Sequence, residues 1–269
     1  MTTRYLDRGE GRIAYEVRGD GPLIVCVPGM GDLRSSFRFA VPVLVDAGYR
    51  VVTVDLRGHG ESDDGFSAYD DPALASDIRA LVAHLGGGPA LLFGNSMGAA
   101  GSILAAAEEP DLVAGLALTG PWVRDPRPGL FMRLAQRVML VKPWGPAAWR
   151  AFYKTLYPGR RPADLAAHQS RIGVSLRRGD HWRSFLRTVV TSHAPVEARL
   201  DDVRAPTLVI MGEKDPDFPD PAAEARYAAE RLRGEVLLVP ESGHYPQADS
   251  PDVVNPAALA FAAKVFARP

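Results

Sequence analysis

Short apolar, β-branched runs alternate along this chain with longer stretches of helical periodicity, and that alternation limits the fold more than any other feature. Leu23 to Val27 is an unbroken run of the kind that fills a strand buried on both faces, and Arg50-Val51-Val52-Thr53-Val54-Asp55 reads as a second buried strand. Between them, Phe37 to Ala47 repeats apolar residues at helical spacing and stops at Gly48. The pattern continues with a helix over Pro72 to Leu85, a strand over Ala90 to Phe93, a helix over Met97 to Glu109 and a strand over Val113 to Leu118. Past residue 200 it resumes, with strands over Thr207 to Met211 and Val236 to Val239 around a helix over Ala222 to Leu232, then a helix over Pro251 to Ala267. Arg12 to Arg18 alternates apolar and polar residues, as an edge-type strand does. Strands that alternate with helices cross over right-handedly, which predicts a doubly wound, mainly parallel α/β sheet covered on both faces. A chain of 269 residues can bury roughly three quarters of its unfolded surface, so it needs no disulfide or metal staples.

Residues 122–200 break the pattern. From 121 to 200, thirteen Arg and two Lys stand against Asp125, Asp164, Asp180 and Glu197, a net charge of +11. The rest of a chain whose net charge is −1 therefore carries −12. Trp122, Trp144, Trp149 and Trp182, all the tryptophans in the chain, fall in the same window. The expected organisation is a core of residues 1–121 and 201–269 carrying an insertion over 122–200. A net charge so near zero offers nucleic acid no general attraction, and no stretch reaches the apolar length of a membrane span. Cys26, the one cysteine, lies inside the Leu23 to Val27 run, which excludes a disulfide framework and predicts a buried structural thiol. With no apolar targeting segment at the N-terminus, the expectation is a cytoplasmic protein.

In a doubly wound sheet the reactive groups lie beyond the carboxyl ends of the strands, so the residues just after each strand are the informative ones. After Phe93 comes Gly94-Asn95-Ser96-Met97-Gly98, a G-x-S-x-G pattern between a strand and a helix. A serine on so sharp a turn needs neighbours without Cβ atoms, and the turn projects its hydroxyl outward while placing the Met97 amide at a helix N-terminus. A nucleotide-binding turn fits poorly, because the glycines at 94, 98 and 101 do not follow G-x-G-x-x-G and no phosphate-loop lysine follows. After the later strands come Gly212-Glu213-Lys214-Asp215 and Pro240-Glu241-Ser242-Gly243-His244. Alone, His244 would be an ordinary loop histidine and Asp215 a turn acid. A serine hydroxyl, however, needs an imidazole base, and the imidazole needs a carboxylate to hold its tautomer. Ser96, Asp215 and His244 supply the three in strand-end positions, with Asp217 and Asp220 as rival acids.

These residues, together with Pro28-Gly29-Met30-Gly31 and Asp55-Leu56-Arg57-Gly58-His59-Gly60-Glu61-Ser62, resemble the α/β-hydrolase family over essentially the whole chain. The resemblance implies a sheet of about eight strands with a helical lid inserted after the sixth. It also implies Ser96 as nucleophile, His244 as base then acid, Asp215 as its orienter, and the Met30 and Met97 amides as an oxyanion hole. Its Gly-x-x-Asp spacing selects Asp215 over Asp217 and Asp220. One departure is Pro28-Gly29 where many members have His-Gly, which leaves the support of the hole unexplained. His59 reads as structural. His84, His168, His181 and His193 have no mutual spacing that suggests a metal, and neither a metal nor a cofactor is expected.

A serine at the elbow rather than an aspartate argues against dehalogenase and epoxide hydrolase chemistry. Hydrolysis of a small-molecule ester ranks first, and Asn95 also resembles the carbon–carbon bond hydrolases of dienoic ring-fission products, although those commonly have Trp where this chain has Tyr245. Thioester or lactone cleavage, and a lid-gated binding protein that retains the triad, stay open. In the lid, Leu130, Leu134 and Val138 share one helical face, and Arg133 and Arg137 another. Trp122, Phe131, Met132, Trp144 and Trp149 either line an acyl pocket or form the lid's own core. Its arginines either steer an anionic substrate, dock the lid on the acidic core, or are solvated surface.

Overall fold

The computed structural model describes residues 2–125, 140–141 and 143–267. Leu130, Phe131, Met132, Arg133, Leu134, Arg137 and Val138 lie outside the described residues. Eight strands form one sheet in the order β1-β2-β4-β3-β5-β6-β7-β8. They are β1 (Arg4–Asp7), β2 (Arg12–Arg18), β3 (Leu23–Val27), β4 (Arg50–Val54), β5 (Ala90–Asn95), β6 (Val113–Thr119), β7 (Thr207–Gly212) and β8 (Glu235–Val239). β2 runs antiparallel to both β1 and β4, and every pairing from β4 to β8 is parallel. Sequence periodicity does not flag β1, because Arg4-Tyr5-Leu6-Asp7 is polar and exposed apart from Leu6; its pairing with β2 at the sheet edge makes it a strand.

Parallel strands are buried on both faces, and β3 shows why its sequence is apolar throughout. Leu23, Val25 and Val27 point into one core layer, with α2 (Asp71–Leu85), α3 (Met97–Glu108) and α8 (Pro221–Leu232). Ile24 and Cys26 point into the opposite layer, with α1 (Ala40–Asp46) and with α10 (Pro251–Phe266), which follows the short α9 (Pro246–Asp249). Burial pushes the Cys26 thiol pKa up, as an inert structural cysteine requires. The five parallel crossovers leave the carboxyl ends of β3, β4, β5, β6, β7 and β8 along one rim, which is where the candidate residues gather.

Between β6 and β7 the chain leaves the sheet and forms α4 (Gly145–Thr155), α5 (Leu165–Ser175), α6 (His181–Val189) and the short α7 (Ala194–Glu197). These helices share a third apolar cluster with the rim, in which Trp149, Tyr153, Tyr157, Trp182 and Phe185 pack against Leu33 and Tyr245. Polar contacts join the two bodies as well: Arg160 pairs with Asp252, Arg124 with Glu224, and Arg178 and Arg187 donate to the carbonyls of Gly60 and Phe66. Among the described residues, no helix is long and apolar enough to cross a membrane.

Candidate active site

Ser96 sits between β5 and α3 with φ 54° and ψ −120°, a backbone conformation that costs a residue with a side chain about 1–3 kcal/mol. The glycines around it explain how the chain tolerates the turn. A Cβ on Gly98 would stand 2.2 Å from the Val27 carbonyl oxygen, and one on Gly94 would stand 2.7 Å from the Ala99 backbone. The elbow is therefore wedged between β3 and its own helix. Gly29 approaches from the β3 side so closely that a Cβ there would meet Ser96 Cβ at 2.8 Å and Oγ at 3.3 Å. Asn95 Nδ2 donates to the carbonyls of Thr119 and His244, each at 3.1 Å, and ties the elbow to the ends of β6 and to the loop after β8.

That loop carries His244, whose Nδ1 is 2.7 Å from Asp215 Oδ2 in a fully buried contact. Asp215 follows β7, and the two loops approach closely enough that a Cβ on Gly212 would meet the Gly243 carbonyl at 2.1 Å. Ser242 and Gly243 donate to the Asp249 carboxylate, and the Lys214 amide donates to the Ser242 carbonyl, so the loop is held on both sides. Gly120, at the end of β6, lies against both partners: its Cβ position is 3.1 Å from His244 Nδ1 and 3.2 Å from Asp215 Oδ2. The same strand end receives the Ser96 amide at the Thr119 carbonyl, which brings Ser96, Asp215 and His244 to one rim.

Asp217 lies 3.5 Å from the same imidazole nitrogen and is 21% exposed, whereas Asp220 is turned away and caps α8 through the Ala223 amide. Burial alone would lower the His244 pKa, but the charges of Asp215 and Asp217 outweigh it and raise it to about 9. Burial, and then the neighbouring Asp215 charge, hold the Asp217 carboxyl above its usual range against the opposing pull of His244. Ligand atoms of Asp215, Asp217 and His244 also fall within 4.8 Å of one another, a convergence that the imidazole–carboxylate contacts account for.

The residues after β3 form a turn in which the Asp32 amide donates to the Gly29 carbonyl and Gly31 adopts φ +71°, the third-residue conformation of a type II turn. The turn is braced from the loop after β4. His59 Nδ1 donates to the Arg57 carbonyl, so its Nε2 is free to accept the Gly31 amide at 2.9 Å. Burial depresses the His59 pKa to about 4, which keeps that acceptor neutral. Trp149 Nε1 donates to the Gly31 carbonyl at 3.1 Å. With both polar groups of Gly31 engaged, no hydrogen bond among the described residues uses the Met30 amide. The Met97 amide opens α3 and has no carbonyl one turn earlier to receive it.

Of the pocket candidates, Trp149 therefore braces the turn rather than standing free in a pocket. Trp122 stacks obliquely on Phe218 at 5.3 Å and on His193 at 5.4 Å. Trp144 is 51% exposed at the start of α4. Phe131 and Met132 are among the residues outside the description. Sequence reasoning missed Asp32, a fully buried carboxylate two residues beyond Met30. It accepts from His168 Nε2 at 2.6 Å and from Tyr153 Oη at 2.9 Å, partners 136 and 121 residues away that no local spacing could reveal. His193 is likewise paired with buried Asp71, at 2.6 Å.

The model of the alpha/beta hydrolase family matches residues 24–257. The chain is 30% identical to 2-(acetamidomethylene)succinate hydrolase of Mesorhizobium japonicum, over 93% of this chain and 92% of that one. It is also 30% identical to the dihydrolipoyllysine-residue acetyltransferase component of the acetoin cleaving system of Pseudomonas putida, over 93% of this chain but 66% of that longer protein. Among solved structures, the esterase RhEst1 from Rhodococcus sp. ECU1013 is similar with a TM-score of 0.78 and 26% identity, covering 98% of this chain and all of that one. With this match and the sheet order described above, the chain belongs to the alpha/beta hydrolase family.

Proposed function

We propose that the protein is a serine hydrolase that cleaves a small-molecule carboxylic ester through an acyl-enzyme, beneath a lid formed by the helices inserted between β6 and β7. The observation that carries this reading is the 2.7 Å contact between His244 Nδ1 and Asp215 Oδ2 at the rim where the φ 54° elbow presents Ser96. Asp215 fixes the imidazole with Nε2 unprotonated, so Nε2 takes the Ser96 proton as Oγ attacks the ester carbonyl. The carbonyl oxygen becomes an oxyanion, which the amides of Met30 and Met97 receive; a single such donor is worth about 10²–10³ in rate. His244 then protonates the departing alkoxide. Water attacks the acyl-enzyme with His244 again as base, and the acid leaves. The scheme draws on no cofactor.

Chemistry narrows the bond. A serine alkoxide that displaced a halide would form an ether, which has no carbonyl for water to attack, so a hydroxyl nucleophile supports acyl transfer rather than dehalogenation. Asn95, the residue most suggestive of carbon–carbon cleavage, is fully buried and spends its amide protons on the backbone of β6 and of His244. Tyr245, which stands where those hydrolases commonly carry Trp, stacks on Tyr157 at 5.2 Å inside the aromatic cluster. The likeness to an esterase across nearly the whole chain supports the same choice. The test is fluorophosphonate labelling of wild type and Ser96→Ala, followed by ester, thioester, lactone and dienoic substrates. Labelling confined to wild type with preferential ester turnover is expected. Tight ligand binding without labelling or turnover would instead make the chain a binding protein.

A further inference from the structure

The turn that presents the Met30 amide is secured by the inserted helices more than by the sheet that it belongs to. Among the described residues, the core offers it one side-chain hydrogen bond, from the Gly31 amide to His59. The insertion supplies three, all buried: Trp149 of α4 on the Gly31 carbonyl, Tyr153 of α4 on Asp32 Oδ2, and His168 of α5 on Asp32 Oδ1. The Leu33 amide fills the remaining position on Oδ1 at 2.7 Å. Asp32 is thus an anion removed from water whose compensation comes mainly from another body of the protein. A buried carboxylate deprived of such partners is costly, so its position follows theirs.

Resting on the reading of the Met30 amide as an oxyanion donor, we infer that Asp32, His168 and Tyr153 are positioning residues that form a latch: the docked insertion sets the oxyanion turn through the Asp32 carboxylate. The catalytic histidine is reached by the same body, since the Leu156 carbonyl, just past α4, accepts the His244 amide at 2.9 Å. Tyr153 also packs on Tyr245 at 5.0 Å. One inserted helix and the residue after it therefore touch both the turn and the base, and displacement of the insertion to admit or release a ligand moves the two together. Among the described residues, no hydrogen bond or ion pair joins a latch residue to Ser96 or to the His244 ring, so the latch hydrogen bonds act through where the Met30 N–H points.

A misplacement of about 1 Å in a catalytic constellation costs roughly 10²-fold in rate, so loosening the latch should reduce kcat about 10- to 100-fold while leaving KM within about threefold. The variants are Tyr153→Phe, which deletes one hydroxyl and keeps the ring that packs on Tyr245, and His168→Gln. The probe is 4-nitrophenyl acetate, with kcat normalised to the amount of Ser96 labelled by fluorophosphonate so that a merely unfolded fraction does not count. Phosphonylation should slow in parallel, because its developing P–O⁻ occupies the same hole. Should His168→Gln fail to fold, Tyr153→Phe decides alone. Normalised kcat within twofold of wild type in a folded variant overturns the latch, even if its melting temperature falls. Wild type that neither labels nor turns over would instead overturn the hydrolase reading on which the latch depends.

Discussion

Replacing Asp217 by Asn should make the protein a better catalyst at neutral pH. His244 Nδ1 faces two carboxylates, Asp215 at 2.7 Å and Asp217 at 3.5 Å, and a general base serves only while it is neutral. With its pKa raised to about 9, kcat/KM should climb about tenfold per pH unit below that value. At 3.5 Å a unit charge pair is worth roughly 1.2 kcal/mol in a dielectric of about 80 and roughly 4.7 kcal/mol at about 20. Asp217 is 21% exposed, so its charge is partly screened and falls between these limits, and removing it should lower the histidine by about one to two pH units at 1.36 kcal/mol each. More of the imidazole is then neutral at pH 7, and although a weaker base transfers protons less readily, the net gain should be about three- to tenfold in kcat/KM. The assay is a blank-corrected profile of kcat/KM for 4-nitrophenyl acetate from about pH 6 to 10, wild type against Asp217→Asn. An acidic limb in the same place for both proteins would refute the two-carboxylate account of His244.

Ser96→Ala should abolish labelling and reduce kcat about a millionfold with an unchanged circular dichroism spectrum, and Asp215→Asn should cost about ten-thousandfold by spoiling the tautomer. Gly98→Ala places a methyl 2.2 Å from the Val27 carbonyl oxygen, so thermal melting should show a loss of roughly 1–3 kcal/mol, whereas a variant as stable as wild type would mean that the elbow is not wedged against β3. Raising salt from about 20 to 300 mM should affect a neutral ester and a carboxylate-bearing ester alike, because several inserted arginines dock the insertion on the core; a fall confined to the anionic ester would favour steering.

Elements buried on both faces were legible in the sequence because their composition follows directly from their environment. Leu23 to Val27 is apolar throughout and Thr207 to Met211 is apolar after its first residue, and each recurs in the structure as a parallel strand, the second extended to Gly212. A helix starting at Phe37 is too long at its start: Phe37 lies in a short 3₁₀ turn over Arg34–Phe37, and α1 begins at Ala40. Apolar periodicity does not separate the two, since Phe37, Ala40, Val41 and Leu44 all face the same core layer. The strand-end residues were legible for a different reason. Ser96, Asp215 and His244 stand in the loops that follow β5, β7 and β8, whose carboxyl ends lie close together on one side of the sheet.

What stayed hidden depends on pairs of residues far apart in the chain. His59 reads as structural from its loop, but its neutral Nε2 comes under the Gly31 amide only once the loops after β3 and β4 meet. His168 and His193, unpromising as metal ligands, turn out to be buried partners of Asp32 and Asp71. The charge asymmetry shows the same limit: a sum of +11 between residues 121 and 200 cannot distinguish arginines aimed at an entrance from arginines aimed at the core. In the structure Arg124 meets Glu224 with its guanidinium over Tyr227, Arg160 meets Asp252, and Arg178 and Arg187 reach core carbonyls. Arg161 turns back to the Tyr157 carbonyl within the insertion. Partly exposed pairs of this kind contribute about 0–1 kcal/mol each, too little to hold the insertion by themselves. The aromatic cluster around Tyr153 and Tyr245 supplies the larger share through burial, and the arginines then fix the orientation in which that apolar contact is made.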